Sequence, residues 1–289
     1  MGLQLPARTG PARRARRLSL LALSSLGLVL LTGCSGEAER LAMPEPATEE
    51  GESILSLWQG AWIAALITGA VVWGLIFYAS WRFRRRSDDE VPIQTRYNLP
   101  LEVFYTIFPV IMVIVFFAQT VKTQNDVLDD TGEPDLQIQV IGQQWSWTFN
   151  YPHESTEGDW VYRSGTANDI PELVIPVDRT TEFLLDSPDV VHSFGVPGFL
   201  MRMDVIPGQD NSFRVTPTRT GEFAGKCTEL CGVSHSRMLF ELKIVEPEEY
   251  EAYLDDLAAE GFVADEPVIG GSYARDQAGL ETDHEEESE

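Results

Sequence analysis
The sequence predicts an all-β domain, a sandwich or barrel, carried on a hairpin of two membrane-spanning helices. Two runs long and apolar enough to cross a bilayer lie at about Leu57 to Trp81 and Leu101 to Val121. From about Lys122 the pattern changes to short runs of period two, broken by Gly, Pro, Asn and Asp. No helical pattern lies between those runs, which argues for packed or closed sheets and against an alternating α/β layout.

The chain opens with Arg8, Arg13, Arg14, Arg16 and Arg17, followed by an apolar stretch from Leu18 to Leu31 that is short for a span. It ends in Leu31-Thr32-Gly33-Cys34, which resembles the lipobox of bacterial lipoproteins. Residues 1–33 are therefore expected to be a signal peptide, with Cys34 lipidated as the new N-terminus. The alternative is an uncleaved anchor with an incidental cysteine. Residues 34–56 are polar, with Pro and Glu, and are expected to form an exposed linker.

The first span is apolar on all faces, with Trp58, Trp62, Tyr78 and Trp81 towards its ends, where interfacial aromatics collect. Arg82, Arg84, Arg85 and Arg86 follow it and mark residues 82–100 as a cytoplasmic loop within the hairpin 57–121. Both ends of the mature chain then lie outside. Glu102 is the only acid inside either apolar span. Such a carboxylate is functional by default, although one near a helix end can simply reach the headgroups.

Residues 122–260 hold the β domain. Candidate strands are Leu136 to Val140, Leu173 to Val177, Thr181 to Leu185, Ser212 to Val215, Glu222 to Ala224 and Met238 to Val245. A closing helix is expected over Glu248 to Glu260, with Tyr250, Tyr253, Leu254 and Leu257 on one face. Residues 261–289 are Gly-rich and acidic, and are expected to be a disordered tail.

The formal net charge of −24 argues against a nucleic-acid partner and for a basic one. Residues 1–122 carry 12 basic and 10 acidic side chains, leaving 9 basic and 35 acidic for the rest. Nineteen of those 35 acids precede Glu246, so the β domain itself is acidic. Cysteines number three and histidines four, which leaves few candidates for any metal site.

One segment outweighs the others: Cys227-Thr228-Glu229-Leu230-Cys231-Gly232-Val233-Ser234-His235-Ser236-Arg237-Met238. Two thiols, an imidazole and a thioether within twelve residues all suit copper. His192 supplies a second imidazole from far upstream. A Cys227–Cys231 disulfide would leave His235 and Met238 unused. Zinc has no need of the thioether, and a mononuclear blue-copper site uses one thiolate only. A site of two coppers employs every residue.

The segment resembles the binuclear copper (CuA) loop of cytochrome c oxidase subunit II, a family with two helices and an outer cupredoxin-like Greek-key sandwich. The resemblance implies that Cys227 and Cys231 bridge two coppers and that His192 and His235 each bind one. Met238 and the backbone carbonyl of Glu229 would be weak axial ligands. It also implies that the Glu229 side chain helps bind magnesium at the interface with subunit I, a solvated loop glutamate being the alternative. Gly142-Gln143-Gln144-Trp145-Ser146-Trp147-Thr148-Phe149 resembles the family's aromatic segment, in which Trp145 is the tryptophan where electrons enter. Trp147 is expected to be core.

Tyr97-Asn98-Leu99-Pro100-Leu101-Glu102-Val103 resembles the start of the family's second helix, which places Glu102 at the mouth of a proton pathway. Gln209 stands where many members carry an arginine, so that arginine's salt bridges to the catalytic subunit are in doubt. The function implied is that of subunit II of an aa3-type, proton-translocating oxidase in a bacterial membrane. Its partners would be subunits I and III and a cytochrome c, soluble or part of a cytochrome bc complex. Asp189, three residues before His192, is a candidate docking acid. Rival readings are a quinol-oxidase-type subunit, which lacks the copper ligands, and a copper-delivery or sensing lipoprotein, which needs only one anchor. A nitrous oxide reductase would need a second, histidine-rich domain.

Overall fold
A computed structural model describes residues 36–153, 160–166 and 168–269. The expected signal peptide, Cys34 and the acidic stretch from 270 lie outside the described residues. The chain divides into two compact units, Met1–Glu45 and Pro46–Glu289. In the first, residues 36–42 form a run of turns.

The second unit opens with helix α1 (Glu49–Arg82). It starts eight residues before the expected Leu57, and the cause is local. Thr48 caps it, its hydroxyl oxygen accepting from the Gly51 N–H at 3.0 Å, and Glu49, Glu50 and Glu52 fill the positive first turn. The end of the expected exposed linker is likewise corrected. Ala47 and Thr48 are fully buried, because their stretch of backbone pairs with another segment. Ala47 donates to the Gly198 carbonyl at 2.8 Å and accepts from Thr218 at 2.9 Å, while Glu49 donates to Thr216 at 3.0 Å.

Helix α2 (Leu99–Val127) lies against α1. Both helices are long and apolar enough to cross a membrane, and among the described residues none of their most apolar window is buried. An apolar surface left largely exposed is what a lipid environment requires.

The domain that follows is a sandwich of two sheets. The first has the order β11 (Val263–Ala264), β3 (Trp160–Ser164), β2 (Ser146–Pro152), β1 (Leu136–Gln143), β5 (Thr181–Asp186) and β8 (Asn211–Val215). The second runs β4 (Glu172–Pro176), β10 (Leu239–Val245), β9 (Gly221–Cys227), β6 (His192–Val196) and β7 (Met201–Val205). Pairing is antiparallel except for β1 with β5 and β4 with β10. Those two parallel pairs come from connections that cross between the sheets, as Greek-key chains do, and exclude a simple meander.

Aromatic rings fill the space between the sheets. Trp147, Phe149 and Tyr151 alternate along β2 and are fully buried. Phe240 of β10 stacks on Phe194 of β6 at 4.8 Å and meets Trp147 and Phe149 edge-on, each at 5.5 Å. The closing helix α3 (Pro247–Ala259) starts one residue earlier than expected and buries Tyr250, Leu254 and Leu257.

The start of the expected disordered tail is ordered, a second correction. Val263 and Ala264 add a strand to β3, and Phe262 meets Tyr162 edge-on at 5.8 Å. The Asn150 side chain bonds both the N–H and the carbonyl of Val268, at 2.9 and 3.1 Å. A buried side-chain amide thus acts as a missing strand partner.

Candidate metal centre
His192 opens β6, Cys227 closes β9, and these strands are neighbours, with Phe194 opposite Cys227. The loop from Thr228 to Met238 leaves β9 and returns as β10, its base pinned by the Cys227 N–H on the Met238 carbonyl at 2.9 Å. Two strands and one pinned loop therefore bring distant residues to one point.

Six donor atoms converge there. The Sγ atoms of Cys227 and Cys231 are 3.8 Å apart. His192 Nδ1 lies 3.9 Å from Cys227 Sγ, and His235 Nδ1 lies 3.6 Å from Cys231 Sγ. Met238 Sδ is 3.8 Å from Cys231 Sγ, and the Glu229 carbonyl oxygen is 3.2 Å from Cys227 Sγ. His192, Cys227 and Cys231 form the cluster among the described residues with the spacing to hold a metal ion. Cys227, Cys231, Met238 and His192 are buried, and His235 is half-buried. Soft sulfur with imidazole, sealed from water, fits copper; no hard carboxylate oxygen is among the converging atoms.

The imidazole of His192 is oriented from behind. Its Nε2 lies 2.9 Å from Asp189 Oδ1; a carboxylate only accepts, so Nε2 carries the hydrogen and the Nδ1 lone pair faces the point where the sulfurs converge. Burial pushes the His192 pKa down against the opposing pull of Asp189, which favours the neutral ring, the form able to bind a metal. Burial also works against charge on Asp189, but N–H donation from Gln144, the His192 ring and Val190 outweighs it and holds the carboxyl below its usual range. Burial and then the neighbouring Cys227 push the Cys231 thiol up to about 12. At neutral pH this thiol carries its proton, so a metal entering the site must displace it.

Trp145 and Gln144 form the two-residue turn between β1 and β2, where Gln143 pairs with Ser146. The Trp145 indole is half-buried, and its Nε1 donates to the Cys231 carbonyl at 3.3 Å. Trp147 is fully buried, as expected, and meets the His192 ring edge-on at 6.3 Å.

Two predicted residues fall apart from the cluster in function or place. Glu102 sits in the first turn of α2, about 40 Å along the helix from the sandwich end at 1.5 Å per residue. Its Oε1 accepts from the Asn98 N–H at 2.9 Å, while the Asn98 side chain accepts from Leu101 at 3.4 Å, so Glu102 takes part in capping its own helix. The Glu229 side chain pairs with Arg202, at 3.8 Å. Arg202 also donates to the Thr228 carbonyl at 3.0 Å, steadying the loop. Gln209, at the expected arginine position, bonds Asn211 within its own turn at 3.2 Å. Sequence reasoning missed Arg202 and Gln144, whose partners lie 26 and 87 residues away; no local pattern announces either.

The family model for the periplasmic domain of cytochrome c oxidase subunit II matches residues 136–245. A probable cytochrome c oxidase subunit 2 of Streptomyces avermitilis is 47% identical over 287 residues, covering 86% of this chain and 90% of the relative. The cytochrome c oxidase subunit 2 of Mycobacterium bovis is 35% identical over 300 residues, covering 85% and 83%. Among solved structures, the periplasmic domain of cytochrome oxidase subunit II from Bradyrhizobium japonicum is 29% identical with a TM-score of 0.40, over 45% of this chain and 97% of that one. The family implies a copper centre, and the clustered donor atoms suit one. This chain, with its two apolar helices and β-sandwich, belongs to the cytochrome c oxidase subunit 2 family.

Proposed function
We propose that this chain is the electron-accepting subunit of an aa3-type, proton-translocating cytochrome c oxidase, taking electrons from cytochrome c at a binuclear copper centre and passing them to haem in subunit I. The observation that carries the reading is the convergence of two thiols, two imidazole nitrogens, a thioether and a carbonyl on one buried point. A copper pair held by these residues would supply one-electron transfer, its charge spread over both metals through the two thiolates.

Cys227 and Cys231 would hold the two coppers jointly, His192 and His235 would each hold one, and Met238 and the Glu229 carbonyl would be the weaker donors. Trp145, exposed on one side and bonded to the Cys231 carbonyl on the other, is the contact for the donor. Acidic side chains steer a basic cytochrome c, soluble or part of a cytochrome bc complex, towards it, and salt weakens that steering. Subunits I and III cover the helices. The arginines from Arg82 to Arg86 stay in the cytoplasm, which puts the sandwich outside the bacterial membrane. Glu102 opens the proton pathway, the Glu229 side chain contributes to a magnesium site facing subunit I, and Cys34 carries lipid.

Copper content and electron paramagnetic resonance of the purified, copper-loaded chain test the reading. Two coppers sharing one unpaired electron are expected. One copper, a preference for zinc, or a Cys227–Cys231 disulfide that resists loading would return the chain to a copper-delivery or quinol-oxidase-type role. A second measurement addresses Trp145 alone. Trp145→Ala keeps both coppers but slows cytochrome c oxidation by on the order of 10²-fold, as loss of an aligned contact does. Reduction by a small artificial donor stays near the native rate; an equal slowing with both donors would remove Trp145 from the route.

A further inference from the structure
Asp189 carries more hydrogen bonds than a docking acid can spare. Its Oδ2 accepts from the Gln144 backbone N–H at 2.7 Å. Its Oδ1 takes His192 Nε2 at 2.9 Å and the Val190 N–H at 2.6 Å, while the nearby Ser187 hydroxyl donates to the Val190 carbonyl at 2.7 Å. A carboxylate offers about four acceptor positions, and backbone and ring N–H groups of the protein itself take three of them. The side chain is 12% exposed, which leaves little of it for a cation on a partner.

Gln144 continues the chain of contacts. Its side-chain Nε2 donates to the Cys231 carbonyl at 2.7 Å, the same oxygen that accepts from Trp145 Nε1 at 3.3 Å. The next residue, Gly232, has φ of +132°, and a Cβ there would stand 2.9 Å from the Trp145 ring and 3.1 Å from Gln144 Nε2. The thiol-bearing turn is thus pressed against the Gln144–Trp145 turn with no room for a side chain between them. One carboxylate grips His192 and the Gln144 backbone, and the Gln144 side chain grips Cys231.

We propose that Asp189 and Gln144 are positioning residues, a two-part clamp that locks the turn bearing Trp145 to the ligand His192 and to the Cys231 carbonyl. The inference rests on the proposed copper reading and deepens it. The clamp holds the indole at a fixed distance from the sulfurs, and it holds the His192 ring with Nδ1 inward. Neither residue touches the electron donor.

The test uses the assembled oxidase, native and with Asp189→Asn or Gln144→Met. Asparagine keeps the shape but loses one acceptor, and methionine keeps the length but loses the donor. Copper extraction by a copper(I) chelator, hydrogen exchange of the peptide covering Gln144, and KM and kcat for cytochrome c against salt are measured together. For Asp189→Asn the expected result is about 10- to 100-fold faster copper loss, the usual cost of removing a group behind a metal ligand. Exchange at Gln144 rises and kcat falls, with KM and its salt dependence native. For Gln144→Met, kcat falls with both coppers retained and KM native. A raised KM with a flattened salt dependence, unchanged copper retention and unchanged exchange in Asp189→Asn would make Asp189 a docking acid and overturn the clamp. A native oxidase lacking two coppers would instead sink the copper reading, whatever the variants do.

Discussion

Cys227→Ser and Cys231→Ser are each expected to give a chain that folds but does not hold a copper pair. Both sulfurs are almost wholly buried, at 4% and 5% exposure, so each is a built part of the interior. Serine is nearly the same size, and a buried hydroxyl finding no partner costs about 1–3 kcal/mol, which a folded domain tolerates. Its oxygen is a hard donor and stays protonated, so it cannot replace a soft bridging thiolate. Copper content should fall from two to one or none, and the signal of an electron shared over two nuclei should vanish. Turnover with cytochrome c should fall beyond the roughly 10- to 100-fold that loss of a supporting residue costs. Met238→Leu gives the contrast. It conserves volume, costing under about 1.5 kcal/mol, and on the proposed reading removes only a weak ligand, so the expected result is two coppers with a changed spectrum. Two coppers retained in either cysteine variant would refute the bridging assignment.

The metal loop was readable in the chain because its chemistry is local. Cys227, Cys231, His235 and Met238 lie within twelve residues, and few other side chains could compete for the role. His192 was readable only through the resemblance and the scarcity of histidine. The strands show where pattern fails. β1 and β10, each with a polar edge, alternate visibly and were anticipated. β6 is buried along its whole length and shows no polar edge to reveal it. β2 does alternate, Trp147, Phe149 and Tyr151 with Thr148 and Asn150, so its pattern is legible in the sequence although β2 is not among the candidate strands.

Backbone pairing left still less trace. Polar composition from residue 34 to 56 suggested an exposed linker, yet Ala47 and Thr48 are buried because their peptide groups bond Gly198 and Thr218. Asp189 was chosen as a docking acid from its distance to His192 in the chain. That its other partner is the Gln144 amide, 45 residues upstream, could be learned only from the fold.

Phe240→Ala is expected to be the most damaging core change, because the ring joins the sandwich to the metal loop. It is 1% exposed, stacks on Phe194 and meets Trp147, which in turn borders His192. Directly across the sheet stands Gly225, where an added Cβ would collide with the Phe240 ring. The missing side chain at Gly225 is therefore the space the ring occupies. Removing a buried phenyl costs about 3–5 kcal/mol through lost burial and the cavity left behind. Gly225→Ala should also destabilise, by about 1–3 kcal/mol, because its Cβ would overlap three Phe240 ring atoms and force the ring out of its packing. The two effects oppose each other in combination. With the ring gone, the methyl group that Gly225→Ala introduces fills part of the void, so the double variant should be no less stable than Phe240→Ala alone. Urea unfolding of the four chains, followed by tryptophan fluorescence, gives the coupling. Simple additivity would mean that Phe240 does not depend on Gly225, and that the ring's place beneath the copper loop is held by the loop itself.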